Sequence, residues 1–293
     1  MKRIYSILLI LGITLFSCQQ DNINNNSDES LSEKAAQITL TEVSLENAAT
    51  EMEYEVDFYA NAEETISNWW RIGKRWQWTN KLRYRINQCP VVTIESEEGG
   101  YPKTITLDYG DGTTLKNEKV LSGIIIVEIS APRKSSEYTR MVTYDDFGVD
   151  SLLVEGTSAT TIDREEGIFR NITSDLTFTL ADELVVDRHS ERSWEWLEGM
   201  DTDTDQTDDV IKITGFSTAE NSDEDVYRKE IVEPLIRKRD CQYIVQGIVE
   251  IRLNGELISS LDYGDGDCNN IAIVTKDGET YEVDLSKRKM RKK

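Results

Sequence analysis

Three aspartates, Asp201, Asp203 and Asp205, stand at the one-three-five spacing of a calcium loop, with Asp208 and Asp209 following. Oxygen donors at alternate positions suit a hard cation. An EF-hand loop, however, also needs a glycine at its sixth position and a bidentate glutamate at its twelfth, and those places hold Gln206 and Lys212. The trio is a weak metal candidate beside the plainer reading of a solvated acidic loop. His189 is the only histidine, which excludes a zinc site built on two histidines. A Ser-His-Asp triad would have to use His189, with no Gly-x-Ser-x-Gly elbow to present the nucleophile. A carboxylate pair of the glycosidase kind has 55 acidic residues to draw on, and no spacing singles out one pair. No phosphate loop, dinucleotide fingerprint or Cys-x-x-Cys occurs, so no cofactor is expected.

Aromatic residues are the other binding candidates. Trp69, Trp70, Trp76 and Trp78 fall within ten residues, interleaved with Arg71, Lys74 and Arg75, and Trp194 and Trp196 form a second group. Such rings serve as platforms for sugars or protein partners, but they serve equally as core. The alternation Trp76-Gln77-Trp78 would put both tryptophans on one face of a strand.

Cys18 offers chemistry of a different kind. Lys2 and Arg3 lead into an apolar run from Ile4 to Phe16, and Leu15-Phe16-Ser17 precedes the thiol. That is how a bacterial lipoprotein signal ends, and the run is shorter than the roughly 18 apolar residues of a permanent span. Cleavage after residues 1–17 would leave Cys18 acylated on its sulfur and its amine. Two or three chains, at about 0.8 kcal/mol per buried methylene, hold a protein firmly to a bilayer. Residues 18–36, rich in Asn, Asp and Ser at first, read as a disordered tether. An acidic tether directly after the cysteine resembles the surface-export signal of Bacteroidota lipoproteins. The expected place is the outer membrane, surface-exposed or periplasm-facing.

The formal net charge is −22, and loss of Lys2 and Arg3 with the leader makes it about −24. Such a field repels phosphate backbones and anionic headgroups, which argues against nucleic acid as a partner. The run Lys287 to Lys293 is a local basic exception and reads as a solvated tail. Beyond Cys18, three cysteines remain. Cys241 and Cys268 flank one expected hairpin and are the disulfide candidates for an oxidising compartment, which would leave Cys89 free.

These residues must be positioned by β structure. Residues 124–130, 139–144, 151–157, 171–180, 183–187, 210–217 and 226–236 are rich in Ile, Val, Thr, Tyr and Phe and are separated by Gly or acidic turns. Residues 243–285 read as a four-stranded antiparallel meander. Three-residue loops, Leu253-Asn254-Gly255 and Lys276-Asp277-Gly278, would pair Ile251 with Leu257, Ile273 with Tyr281 and Ile271 with Val283. Leu107-Asp108-Tyr109-Gly110-Asp111-Gly112 recurs letter for letter as Leu261-Asp262-Tyr263-Gly264-Asp265-Gly266, each copy about twenty residues after a cysteine, which implies two related β units. The acids of these copies could face a cation, but Gly and Asp are also what tight turns need. Residues 42–66 mix helical composition with the strand-like alternation of Tyr54 to Phe58, and at least one helix is expected there. The expected fold is mainly β, an antiparallel meander forming a sandwich or curved half-barrel, with a short N-terminal helical segment. Its divisions are a helical and aromatic segment at 37–88, a first β unit at 89–190 and a second at 191–293.

The Asp-Tyr-Gly-Asp-Gly copies resemble the signature of polycystic-kidney-disease-type Ig-like modules, with Leu107 and Leu261 where those modules carry an aromatic. From residue 89 onward the chain resembles a set of uncharacterised Bacteroidota outer-membrane and surface lipoproteins. The shared patterns are Cys89-Pro90, Tyr101 to Gly110, Gly123, Phe147-Gly148-Val149, Trp194 to Gly199, and Cys241 before Leu261 to Cys268. Those relatives often carry a further cysteine after the first Gly-Asp-Gly, where Thr113 and Thr114 stand here. The resemblance implies an envelope location and a β-rich body, and no activity. The first functional expectation is a non-enzymatic, lipid-anchored β protein that binds an envelope protein or glycan or shapes an assembly. The alternatives are a glycan hydrolase using paired carboxylates, and a lipid or lipoprotein carrier with an apolar groove.

Overall fold

The computed structural model describes residues 23–71, 90–96, 100–115, 118–163, 169–199, 207–286 and 289–292. It opens with a single helix, α1 (Ile23–Arg71), 49 residues long. No glycine or proline interrupts this stretch, so nothing in it breaks the backbone ladder. Its inward hydroxyls are satisfied within the helix: Thr39, Ser44 and Thr50 donate to the carbonyls of Ala35, Leu40 and Glu46 at 2.7, 3.0 and 2.8 Å. The helix is far longer than the segment expected, and it starts inside the stretch read as a tether. Ala35 and Ile38 are already buried.

The strands are β1 (Val91–Ser96), β2 (Lys103–Asp108), β3 (Thr113–Thr114), β4 (Val120–Ile129), β5 (Thr139–Val149), β6 (Leu152–Asp163), β7 (Phe169–Thr179), β8 (Val185–Glu198), β9 (Val210–Asn221), β10 (Val226–Lys238), β11 (Ile244–Leu253), β12 (Glu256–Asp265), β13 (Ile271–Lys276), β14 (Glu279–Asp284) and β15 (Lys289–Lys292). Fourteen of them follow one another in chain order across one antiparallel sheet, while β3 pairs with β4 off that path. The meander is therefore mainly β as expected and forms one open sheet. The division expected at residue 190 falls inside β8, and the hydrogen-bonded ladder runs through it.

The sheet curls around α1. Helix residues from Thr41 to Glu46 and from Thr50 to Asp57 are buried in succession, so every side of the helix is covered over those turns. The curl needs bends within strands. At Gly156 and Gly215, φ is +118° and +127°, and an added Cβ would lie 2.3 Å from Asp175 O and 2.1 Å from Glu191 O of the neighbouring strand. Only glycine fits such corners.

Hairpin geometry differs from expectation. Asn254-Gly255 and Asp277-Gly278 have positive φ at both positions and make two-residue turns, pairing Leu253 with Glu256 and Lys276 with Glu279. In β12 the extra residue sits inside the strand, where Arg252 faces Leu257 but Ile251 faces Ser259. That bulge returns Ser259, Leu261 and Tyr263 to the inner face and leaves Leu257 51% exposed. No bulge follows in β14. Val274 pairs with Tyr281 and Ala272 with Val283, one residue away from the expected partners.

An alternating meander places every second connection at the same end. Lys34, near the start of α1, bonds Asp225 between β9 and β10 at 2.7 Å, whereas Glu63 bonds Lys103 beside the β1–β2 connection at 2.5 Å. The turns at 150–151, 180–184, 222–225, 254–255 and 277–278 thus surround the entry of α1, while the connections at 130–138, 239–243 and 266–270 lie at its exit.

Candidate functional site

The concentrated chemistry of this molecule lies inside the curl, where acids of α1 meet cations at inward positions of the strands. Glu42 and Glu46, one helical turn apart, face Arg188 and Arg192 of β8 and Lys229 of β10. Arg192 grips both oxygens of Glu46 at 2.6 Å, Lys229 contacts Glu46 and reaches Glu42 at 3.1 Å, and Arg188 lies 3.4 Å from Glu42. Glu53 and Asp57, again a turn apart, face Arg140 of β5 and Arg170 of β7. Arg140 bridges both acids, at 2.5 Å from Glu53, and bonds Thr160 at 3.1 Å, while Arg170 closes on Asp57.

Burial alone would raise each of these carboxyl pKa values. The adjacent cations outweigh it at Glu42, Glu46 and Asp57, which are held below the ordinary range. At Glu53 burial prevails, aided by the Asp57 charge, and its pKa is raised. Lys229 is lowered by burial, with Arg188 and Arg192 adding like-charge repulsion. Between the charged groups runs a row of small residues. Ser158, Ser174, Ser190 and Ser217 face one another across β6 to β9, all buried, with Ser174 and Ser190 hydroxyls 2.7 Å apart. A cavity of ≈ 20 Å³ beside Met52, Glu53, Tyr144, Ser174 and Arg192 has room for about one water.

This interior was missed in the sequence, although a signal existed. In β8 the inward positions read Val186, Arg188, Ser190, Arg192 and Trp194, so two arginines stand on the buried parity of a strand. Cations on that parity require acids in the core.

The repeated motif is structural in both copies. Asp108 accepts from Gly110 N–H and Asp262 from Gly264 N–H, each at 2.8 Å, and Tyr109 and Tyr263 are buried. The Tyr109 hydroxyl donates to Glu55 at 3.1 Å. Cys241 and Cys268 form a disulfide that ties the β10–β11 connection to the one after β12.

Trp194, 1% exposed, packs edge-on against Tyr54, and Trp196 lies beneath Arg170 with 4.5 Å between guanidinium and ring. Trp194 is core and cannot stack an external ligand. His189 sits on the outer face, where Asp175 at 2.8 Å and Glu191 at 3.5 Å take its two ring nitrogens; the Asp175 hydrogen bond is the main reason its pKa is raised. At the exit end, the Arg239 N–H donates to Asp209 O at 2.9 Å and its guanidinium covers the Tyr54 ring at 3.9 Å. Burial and the Asp208 charge push the Asp209 carboxyl up to about 6. Trp69 and Trp70 lie in the last turn of α1. Cys18, Trp76, Trp78, Cys89, Asp201, Asp203 and Asp205 lie outside the described residues. Among the described residues no cluster of three or more potential metal ligands occurs.

No family model, curated protein or solved structure matches this chain.

Proposed function

We propose that the chain is a cell-envelope β protein of the Bacteroidota surface-lipoprotein kind, held to the outer membrane through acylated Cys18 and acting by binding, not catalysis. The observation that carries the reading is the filled interior. A hydrolase of the glycosidase type needs two acids flanking an open cleft. Here the acid pairs Glu42/Glu46 and Glu53/Asp57 are enclosed by the sheet and matched to arginine and lysine. A carrier needs an apolar groove, and the concave face is occupied by the protein's own helix and studded with charge. What remains for recognition is the outer surface and the loops at the exit end, which a rigid scaffold presents. The partner class is an envelope protein or a glycan.

Mass measurement of the mature polypeptide tests the anchor: fatty-acyl adducts on Cys18 are expected, and an unmodified cysteine or recovery from the cytosol overturns it. Affinity capture of the lipidated protein from intact cells tests the binding role. Release of reducing ends from envelope glycans by the purified protein would replace it with the hydrolase reading.

A further inference from the structure

We infer that α1 is a rigid stalk that fixes which end of the shell faces the lipid, with the end that carries Asp150, Asp223 and Asp277 toward the leaflet and the end that carries residues 130–138 and 239–243 away from it. This inference rests on acylation of Cys18.

Only four residues, Gln19 to Asn22, separate Cys18 from the first residue of α1. From Ile23 the helix runs without a break into the shell, passing Asp225 at Lys34 and Lys103 at Glu63. Because the helix is gripped over many turns by buried ion pairs, its direction is the direction of the shell. An anchor at its start therefore orients the whole body, as a flexible tether would not.

The turns at 150–151, 180–184, 222–225 and 277–278 around the helix entry carry Asp150, Asp182, Glu183, Asp223, Glu224, Asp225 and Asp277, and four of these acids, Asp150, Glu183, Glu224 and Asp277, hold positive φ. An acidic rim pressed on anionic headgroups would be repelled. The twelve residues from Ile23 to Lys34 add about 18 Å of helix at 1.5 Å per residue. That is about twice the roughly 8 Å Debye length at physiological salt, so the rim is held where repulsion is screened. The exit loops stand farther out by the remaining helix, about 44 Å from Lys34 to Glu63.

The test uses the full lipidated chain in vesicles of phosphatidylethanolamine and phosphatidylglycerol containing an acceptor-labelled lipid. A donor dye is attached through Asp223→azidophenylalanine at the entry rim or Ser136→azidophenylalanine at the exit end, both exposed positions. Energy transfer severalfold stronger from position 223 than from 136 is expected, and Ser30→Pro, which breaks the stalk, should narrow the difference. Equal or reversed transfer in protein shown by mass spectrometry to be acylated overturns the orientation alone. Protein lacking acyl chains overturns the anchor and the inference together.

Discussion

Arg192 of β8 lays Nη1 and Nη2 against Oε1 and Oε2 of Glu46 in α1, each contact at 2.6 Å, joining residues 146 apart in the chain. Glu46 is also touched by Lys229 and Arg188, so its removal leaves three buried cations with only Glu42 among them.

Glu46→Ala is expected to destabilise the protein by about 3–5 kcal/mol, the usual penalty for stranding a buried charge. Urea unfolding measures it. A double-mutant cycle of Glu46→Leu with Arg192→Met should show coupling of about 1 kcal/mol or more, and strict additivity would deny the pair its role.

Stability should vary with pH in two opposite senses. Glu42, Glu46 and Asp57 have lowered folded values, so their contribution is complete above about 4.5 and is lost as pH falls below the unfolded range. Asp209, raised to about 6, binds its proton more readily when folded, so its share of stability declines as pH rises from about 4 to 6. Asp209→Asn should raise Tm at pH 8 and leave it unchanged at pH 4. Thermal melts across this range would show an equal gain at both pH values if the assignment were wrong.

The serine row lets helix and sheet approach closely. Ser190→Ala should cost no more than about 1 kcal/mol, while Ser190→Leu should cost about 1–3 kcal/mol through overpacking. Denaturant midpoints that rank the two variants the other way would show that the row is not a spacing device. Gly156→Ala should behave like the leucine variant, because its Cβ would meet Asp175 O at 2.3 Å.

Loss of the Cys241–Cys268 bridge in a paired Cys241→Ser, Cys268→Ser variant is expected to lower stability by about 2–4 kcal/mol. Unfolding with and without reductant should reproduce the difference in the native chain and abolish it in the variant.

Strands were legible where one face is apolar. Val142 and Tyr144 alternate inward in β5, and Val245, Val249, Ile251 and Leu253 in β11, so the chemistry of one face carries the period of two. The parity argument for the last meander kept Ile251 opposite an odd-numbered residue, but that residue is Ser259 and not the expected Leu257, because the extra residue lies in the strand at Ile258 and not in the loop. Two-residue turns are set by backbone preferences of Asn-Gly and Asp-Gly, and these act before side chains choose a face. The helix was only half legible. Nothing in the sequence marks Glu42, Glu46, Glu53 and Asp57 for the core, where carboxylates are seldom found, and the compensating arginines and lysine lie roughly 80 to 190 residues away on other elements. The interior site follows from that pairing, which neither segment reveals alone.

The order in which the chain is made gives the charge ladder a further meaning. Strand pairs are formed by chain neighbours, but the cations for Glu42 and Glu46 arrive on β8 and β10, Lys229 being 183 residues after Glu46. A nascent chain halted before β8 would hold the first half of its helix beside no counter-ion from those strands. Completion of the wrap is thus registered at the helix that was born first, and a truncated product is expected to leave that helix open to proteases.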